Sequence, residues 1–385
     1  MDVQSILEKL VSFPCLGGET NLEIIGWIHE FLHEKGIKTR CVYNDDKTKA
    51  SIHCRIGPAQ NGGIILSGHT DVVPVEGQDW STKPFDLILK NNRLYGRGSC
   101  DMKGFLACCL ASVDQFKNMP LEKPVYFAFS HDEEIGCLGA PDLINDILDY
   151  YDETPAYAII GEPTMMELVA GQKGICVMET HVNGSAGHSS RIKQEVSAIH
   201  EAARLICWLE DYMDTLSKEG LTKEAFDPNH CSIHIGKVKG GVAPNVIADS
   251  CRFEWDIRVI PGQDAYNIID QFEDYCRSRE KIVSKRFPGF KIGNKAVIKP
   301  VPGLDAFHED GLIGFMHSLG SFDALKVVSY AAEAGQFAEA GIPSIICGPG
   351  NIEQAHRADE FIAISQLEEC MKMLTTLSRK LSSMT

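Results

Sequence analysis

The sequence predicts an α/β protein built on a mixed sheet covered by helices, with a separate α+β domain inserted into it. Three observations carry that prediction. Four short apolar runs, Ile64 to Leu66, Val125 to Phe129, Tyr157 to Ile160 and Ser344 to Cys347, lack alternation, which suits strands buried on both faces. Between about residues 173 and 285 the texture changes: Cys251, Phe253, Trp255 and Ile257 alternate with Arg252, Glu254, Asp256 and Arg258, the period of a sheet with one wet face. A chain of 385 residues also exceeds what one hydrophobic core usually supports, so two domains are expected.

Taken in order, Ile6, Leu7, Leu10 and Val11 share one helical face, and Ile24, Ile25, Ile28, Phe31 and Leu32 repeat the pattern until Gly36 ends it. Each apolar run is then followed by polar residues or glycine: Ser67 to Asp71, Ser130 to Glu134, Gly161-Glu162-Pro163 and Gly348-Pro349-Gly350. Sites in open α/β sheets lie at the carboxyl ends of strands, so the four ends point to one shared cleft. The stretch from Gly96 to Gly104 adds a glycine-bearing loop that allows close backbone approach and leads into an apolar helix from Phe105. In the middle block, Ile233 and Ile235 alternate as strand residues, and Val196 to Leu216 has helical spacing. The block reads as an insertion spanning 173–285, with 1–172 and 286–385 forming the larger domain and Phe287-Pro288-Gly289 serving as the return linker.

A formal charge of −16 and a pI near 5.3 leave no basic field for phosphate backbones, and no Lys/Arg cluster of five occurs, so nucleic acid is excluded as an expected partner. The longest mostly apolar stretch, Phe105 to Val113, is far shorter than the roughly 20 residues a bilayer span needs. No membrane association is expected. The first residues lack a basic stretch followed by an apolar one, so the chain is expected to stay in the cytoplasm. Fourteen cysteines are scattered with no CxxC pair and one adjacent pair, Cys108-Cys109, which fits reduced, mostly buried thiols rather than a disulfide framework.

Candidate chemistry gathers just past the apolar runs: His69, Asp71, Asp101, Glu133, Glu134 and Glu162, with His356 near the C-terminus. Singly, each has an ordinary explanation as a solvated loop residue, a cap or a hydrogen-bonded histidine. Together they point to metal, because neighbouring carboxylates repel one another without a cation between them, and carboxylate with imidazole is the donor set that suits zinc and related ions.

The motifs Ser67-Gly68-His69-Thr70-Asp71-Val72-Val73-Pro74, Gly96 to Gly104 and Asp132-Glu133-Glu134-Ile135-Gly136 resemble, in order and spacing, the signatures of the M20 metallohydrolase family. Gly161-Glu162-Pro163-Thr164, Gly184 to Ser189, Asp256 to Gly262 and Gln354-Ala355-His356 extend the resemblance over nearly the whole chain. It implies a catalytic domain with an inserted lid or dimerisation domain, and a site for two divalent metal ions, usually zinc, with cobalt as the alternative. Asp101 would bridge both ions, His69 and Glu162 would complete one site, and Glu134 and His356 the other. Asp71 would orient the His69 imidazole, and Glu133 would act as general acid/base toward the bridging water. A cis peptide is implied between Asp101 and Met102. His188 matches a family histidine that hydrogen-bonds the oxyanion or scissile carbonyl. Asn245 and Arg258 resemble substrate-binding positions; Arg258 could equally pair with Asp256 or Glu254 on its own strand.

Within the family, Ala332 to Phe337, Cys347 to Gly350 and Glu353 to Glu360 look most like the deacetylase branch, with Ala358 departing from its usual proline. That implies a small acylated amino acid as substrate, and hydrolysis of N2-acetyl-L-ornithine to ornithine and acetate in arginine biosynthesis. Glu333 is then the candidate acidic partner for the ornithine side chain. A succinyl-diaminopimelate desuccinylase, a dipeptidase or another acyl-amino-acid hydrolase is the alternative, and a non-catalytic binding protein of the same fold would be expected to have lost some of these residues. A homodimer through the inserted domain is expected, with His188 acting on the opposite subunit. A nucleotide-binding oxidoreductase is disfavoured because no GxGxxG opens a helix after a strand.

Overall fold

The computed structural model describes residues 1–382. Helices α1 (Val3–Val11) and α2 (Leu22–Glu34) precede strands β1 (Thr39–Tyr43), β2 (Ala50–Ile56), β3 (Ile64–His69), β4 (Ile88–Lys90) and β5 (Arg93–Tyr95). Next come α3 (Lys103–Ala111), α4 (Val113–Asn118), β6 (Val125–Ser130), α5 (Ala140–Tyr150), β7 (Tyr157–Ile160) and β8 (Val169–Gln172). The middle of the chain forms β9 (Gly174–Asn183), β10 (Gly187–His188), α6 (Ala198–Glu219), β11 (Ser232–Gly240), β12 (Val246–Ile247), β13 (Ser250–Val259), α7 (Ala265–Val283) and β14 (Lys291–Val301). The last part supplies β15 (Leu304–Asp305), α8 (Asp310–His317), β16 (Lys326–Val328), α9 (Ala334–Glu339), β17 (Ser344–Ile346), β18 (Phe361–Ala363) and α10 (Ile364–Lys380). The chain divides into two compact units, one of residues 1–171, 304–327 and 332–385, the other of 172–303 and 328–331.

In the first unit a mixed sheet runs in the order β1-β2-β6-β3-β7-β17-β8-β15. The four apolar runs read from the sequence are its central strands β6, β3, β7 and β17, and each is parallel to its neighbour among them. Because they are parallel, their carboxyl ends share one edge of the sheet. Both faces are covered: every residue of β3, β6 and β17 is buried, which is why these strands lack alternation. Helix α3 packs against β3 on one side and against α1 and α10 on the others, so Lys103 through Leu110 are all buried. A helix enclosed all round needs an apolar surface all round.

The amphipathic readings of the first two helices hold. Ile6, Leu7, Leu10 and Val11 of α1 are all fully enclosed, each worth about 1.5–3 kcal/mol relative to exposure, and Asp2 caps the helix by accepting from Ser5 N at 2.8 Å. Gly36 follows α2 with φ +74°, a conformation open to glycine, and ends it. All cysteines except Cys41 and Cys207 are buried, in line with the reading of them as small core residues. Among the described residues no helix is long and apolar enough to cross a membrane.

The second unit holds a four-stranded antiparallel sheet, β11-β13-β9-β14, with α6 and α7 packed on it. Cys251, Phe253, Trp255 and Ile257 are buried while the residues between them are not, as their alternation predicts. The helix read as Val196 to Leu216 begins at Ala198, because Ser197 caps it by accepting from His200 N at 3.3 Å. One boundary needs correction. The return was expected at 285/286 with Phe287-Pro288-Gly289 as linker, yet this tripeptide only connects α7 to β14, and β14 then pairs with β9 from Lys291 to Val301. The unit therefore closes at Gly303 rather than at Lys285. Strand β14 is mostly exposed, so it carries little of the burial signal by which a strand is read from sequence.

Candidate metal centre

The four parallel strands bring distant side chains to one edge of the sheet. His69 is the last residue of β3, paired in register with Ser130, the last residue of β6. The loop after β6 carries Glu133 and Glu134, Glu162 follows β7, Asp101 precedes α3, and His356 lies in the loop before β18. Glycine makes the strand ends compatible: a Cβ on Gly161 would lie 2.1 Å from the Phe105 ring, so Glu162 can sit beside this helix only after a residue without a side chain.

Asp101 is the centre of the arrangement. Its Oδ1 lies 3.2 Å from His69 Nε2 and its Oδ2 3.5 Å from His356 Nε2, so one oxygen faces each histidine. Around His69 Nε2, Glu162 Oε1 stands at 3.8 Å and Glu133 Oε2 at 4.0 Å. On the other side, His356 Nε2 is 2.9 Å from Glu134 Oε2. Grouped by mutual approach within 4.8 Å, the donors form the sets His69, Glu133, Glu162 and His69, Asp101, Glu134. Those sets include Glu133 and omit His356, unlike the assignment made from the sequence. His356 lies within 3.5 Å of both Asp101 and Glu134, and Glu133 is the most distant of the carboxylates around His69.

The electrostatics describe a cluster short of positive charge. Burial pushes Glu133 and Glu162 well above the carboxylate range and lifts Glu134 to about 7, with other carboxylates adding repulsion. Burial opposes the charge of Asp101 too, but hydrogen bonds with His356 and His69 outweigh it and hold this carboxyl below its ordinary value. The same contacts, to Asp101 and Glu134, raise His356 to about 10. Glu162 Oε1 is buried without a hydrogen-bond partner among the described residues, which is costly unless a cation satisfies it. Buried carboxylates, two imidazoles and one orphaned oxygen fit divalent metal ions. The Asp101–Met102 peptide is cis, as the resemblance implied.

Two expectations change. Asp71 was expected to orient the His69 imidazole; the contact it makes is through its backbone carbonyl, which accepts from His69 Nδ1 at 2.9 Å, the nearer carboxylate oxygen being 3.7 Å away. That carboxylate instead accepts from Glu133 N and Glu134 N, both at 3.1 Å, and so holds the turn that carries these two glutamates. Glu333, expected to face a substrate ammonium, is only 1% exposed, and its carboxylate is taken up by the hydroxyls of Ser130 and Ser67. It is engaged inside the protein. Cys137 stands outside the candidate set read from the sequence, yet its buried Sγ lies 3.4 Å from Glu133 Oε1. Ser67 was visible in principle, since it shares a strand face with His69 two residues on.

The remaining candidates belong to the second unit. His188 and Asn245 lie on neighbouring segments there: β10 pairs with β12, His188 opposite Val246, and Ser189 N donates to Asn245 O at 3.0 Å. His188 is exposed, and its Nδ1 accepts from Ser190 N at 3.2 Å, which leaves the proton of a neutral ring on Nε2. Arg258 lies on β13, away from that ladder, with its Nε 3.5 Å from Asp256 Oδ1.

A family model described as peptidase family M20/M25/M40 matches residues 65–380. An acetylornithine deacetylase of Aliivibrio fischeri is 30% identical over 362 residues, 94% of this chain and 92% of that protein. One from Myxococcus xanthus is 31% identical over 377 residues, 97% and 95% of the two chains. Among solved structures, an M20 family metallo-carboxypeptidase from Sulfolobus solfataricus superposes with a TM-score of 0.77 at 18% identity, covering 99% of each chain.

Proposed function

The chain belongs to peptidase family M20/M25/M40, and on that premise we propose that it is a deacetylase that hydrolyses N2-acetyl-L-ornithine to ornithine and acetate, in arginine biosynthesis in the cytoplasm. Metal-dependent hydrolysis of an amide bond follows from the family; the acetyl group and the amino acid are the proposal. The observation that carries the chemistry is Asp101, with one carboxylate oxygen toward His69 and the other toward His356. The names of the relatives at about 30% identity support the substrate.

Asp101, His69 and Glu162 would hold one ion and Asp101, Glu134 and His356 a second, zinc being the proposed metal and cobalt the alternative. When bound, such ions lower the pKa of a water and polarise the scissile carbonyl. Glu133 moves the proton. Its Oε1 is engaged by Cys137, so Oε2 takes a proton from the attacking water and returns it to the departing amine nitrogen as the C–N bond breaks. Asp71 keeps Glu133 and Glu134 apart in function by holding both of their backbone N–H groups. His188, with its proton on Nε2, donates to the carbonyl oxygen, and Asn245 beside it binds the substrate. Arg258, whose Nε lies 3.5 Å from Asp256 Oδ1, would leave that partner to pair with the substrate carboxylate.

The decisive assay measures acetate and succinate release, and dipeptide cleavage, from purified protein reconstituted with Zn²⁺. Faster turnover of N2-acetyl-L-ornithine than of succinyl-diaminopimelate or dipeptides is expected. Preference for either of the others overturns the substrate while leaving the family chemistry standing.

A further inference from the structure

We propose that Glu360 and Arg97 are positioning residues that, with Gln78, lock the segment carrying Asp101 to the segment carrying His356. The inference rests on the reading of those two residues as metal ligands. Glu360 and Arg97 are each 1% exposed, and Glu360 Oε2 accepts from Arg97 Nη1 at 2.8 Å. An ion pair buried this deeply is costly unless every remaining bond is made. Here they are made to backbone and to Gln78, except at Arg97 Nε, which has no hydrogen-bond partner among the described residues. Glu360 Oε2 also accepts from Gly98 N at 3.0 Å, and Oε1 accepts from Cys100 N at 2.8 Å and Asp101 N at 3.0 Å. One carboxylate thus gathers three amides of the turn that ends at Asp101.

Arg97 faces the other segment. Its Nη1 donates to Arg357 O at 3.2 Å and its Nη2 to Gln78 Oε1 at 2.5 Å, while Gln78 Nε2 donates to His356 O at 2.9 Å. The backbone joins in where Gly96 N donates to Glu360 O at 2.9 Å. Gly98 is part of the device: it has φ +78°, and a Cβ there would come within 2.6 Å of Val72 Cγ1. His356, also at positive φ, has a largely exposed side chain whose imidazole meets Glu134 and Asp101, while its backbone carbonyl is held by Gln78. The motif around Asp101 and the residues around His356 are therefore two halves of one structure.

The test has two readouts, one independent of metal. In metal-free protein, residue-resolved hydrogen exchange on Glu360→Gln is expected to be about tenfold faster at Gly98, Cys100 and Asp101 and also at Gln354 and Ala355, whose amides are bonded to Asn351 O and Ile352 O just before His356, with the amides of β3 and β6 unchanged. Gln78→Leu, on a partly exposed loop where folding is not at stake, is expected to speed exchange only at Gln354 and Ala355. Both variants should bind Zn²⁺, measured by competition with a chromophoric chelator, about 10- to 100-fold more weakly, the range expected when the groups that orient ligands are removed. Faster exchange at 98–101 with Gln354 and Ala355 unchanged in Glu360→Gln, or Zn²⁺ affinity within twofold of wild type in both variants, overturns the proposal. Wild-type protein that binds no Zn²⁺ overturns the proposed function instead, and the exchange pattern still decides whether the lock exists.

Discussion

Glu133 and Glu134 are neighbours in sequence, yet their carboxylates meet different partners: Cys137 Sγ lies 3.4 Å from Glu133 Oε1, and His356 Nε2 lies 2.9 Å from Glu134 Oε2. The backbone between them is held by Asp71, whose two oxygens each accept one of their N–H groups. Such a division allows one carboxylate to hold a cation while the other moves a proton. Replacing Glu133 by Gln is therefore expected to leave metal content unchanged and to lower kcat about 100- to 10,000-fold, the usual worth of a general acid/base. Metal analysis and rate measured on the same sample check this; near-normal turnover would remove Glu133 from the proposed mechanism. Glu333, the candidate partner for a substrate ammonium, shows how packing engages a side chain. A glutamate beside a family motif looks available to substrate, but hydroxyls on β3 and β6 claim it.

At the scale of elements, helix α5 is tied to the edge of the sheet by a polar contact with a pH dependence. His53 on β2 is 1% exposed, and its Nε2 lies 2.8 Å from Asp146 Oδ1 on α5 while Nδ1 lies 3.1 Å from the Tyr151 hydroxyl. Arg40 on β1 completes the site with Nη2 2.8 Å from Asp146 Oδ2. Burial lowers the His53 pKa below its ordinary 6.5, against the pull of Asp146. Below 6.5 the unfolded chain takes up a proton that the folded imidazole resists, so stability falls as pH drops from 6.5 toward the folded value and then levels off. Asp146 carries a depressed pKa, because its bonds to Arg40 and His53 outweigh its burial, and its contribution is lost only at pH below its ordinary 3.8. A His53→Gln variant is expected to lose less of its Tm than wild type between pH 7 and pH 5. Parallel Tm curves for the two proteins over that range would refute the assignment.

For the whole molecule, all the candidate metal ligands belong to the first unit and His188 to the second. The sequence leads to the expectation that His188 completes the site of the opposite subunit in a homodimer formed through the inserted unit, whose sheet has edge strands β11 and β14 and so offers strand edges for pairing. Co-expression of Glu133→Ala with His188→Ala subunits tests it. Action in trans gives the mixed dimer one site with both groups intact, and activity returns. If His188 acts within its own chain, no site in the mixture has both groups, and activity stays at the level of the single mutants.

The sequence alone determined the central strands and the donor residues that follow them. A strand buried on both faces announces itself by unbroken apolarity over a few residues, as in β3 and β6, and a donor placed just after a strand end, such as His69 or Glu162, inherits its position from that strand. Both signals are local in the chain. Tertiary structure alone decided which hydrogen bonds those residues make. That Asp71 holds the backbone of Glu133 and Glu134, that Glu333 bonds Ser130, and that Glu360 gathers the amides before Asp101 all depend on segments far apart in sequence being packed at particular distances. The same is true of β14, whose exposed residues carry no burial pattern and which becomes a strand of the second unit by pairing with β9. A side chain's chemistry is written in its own residue, whereas its partner is chosen by how the rest of the chain packs around it.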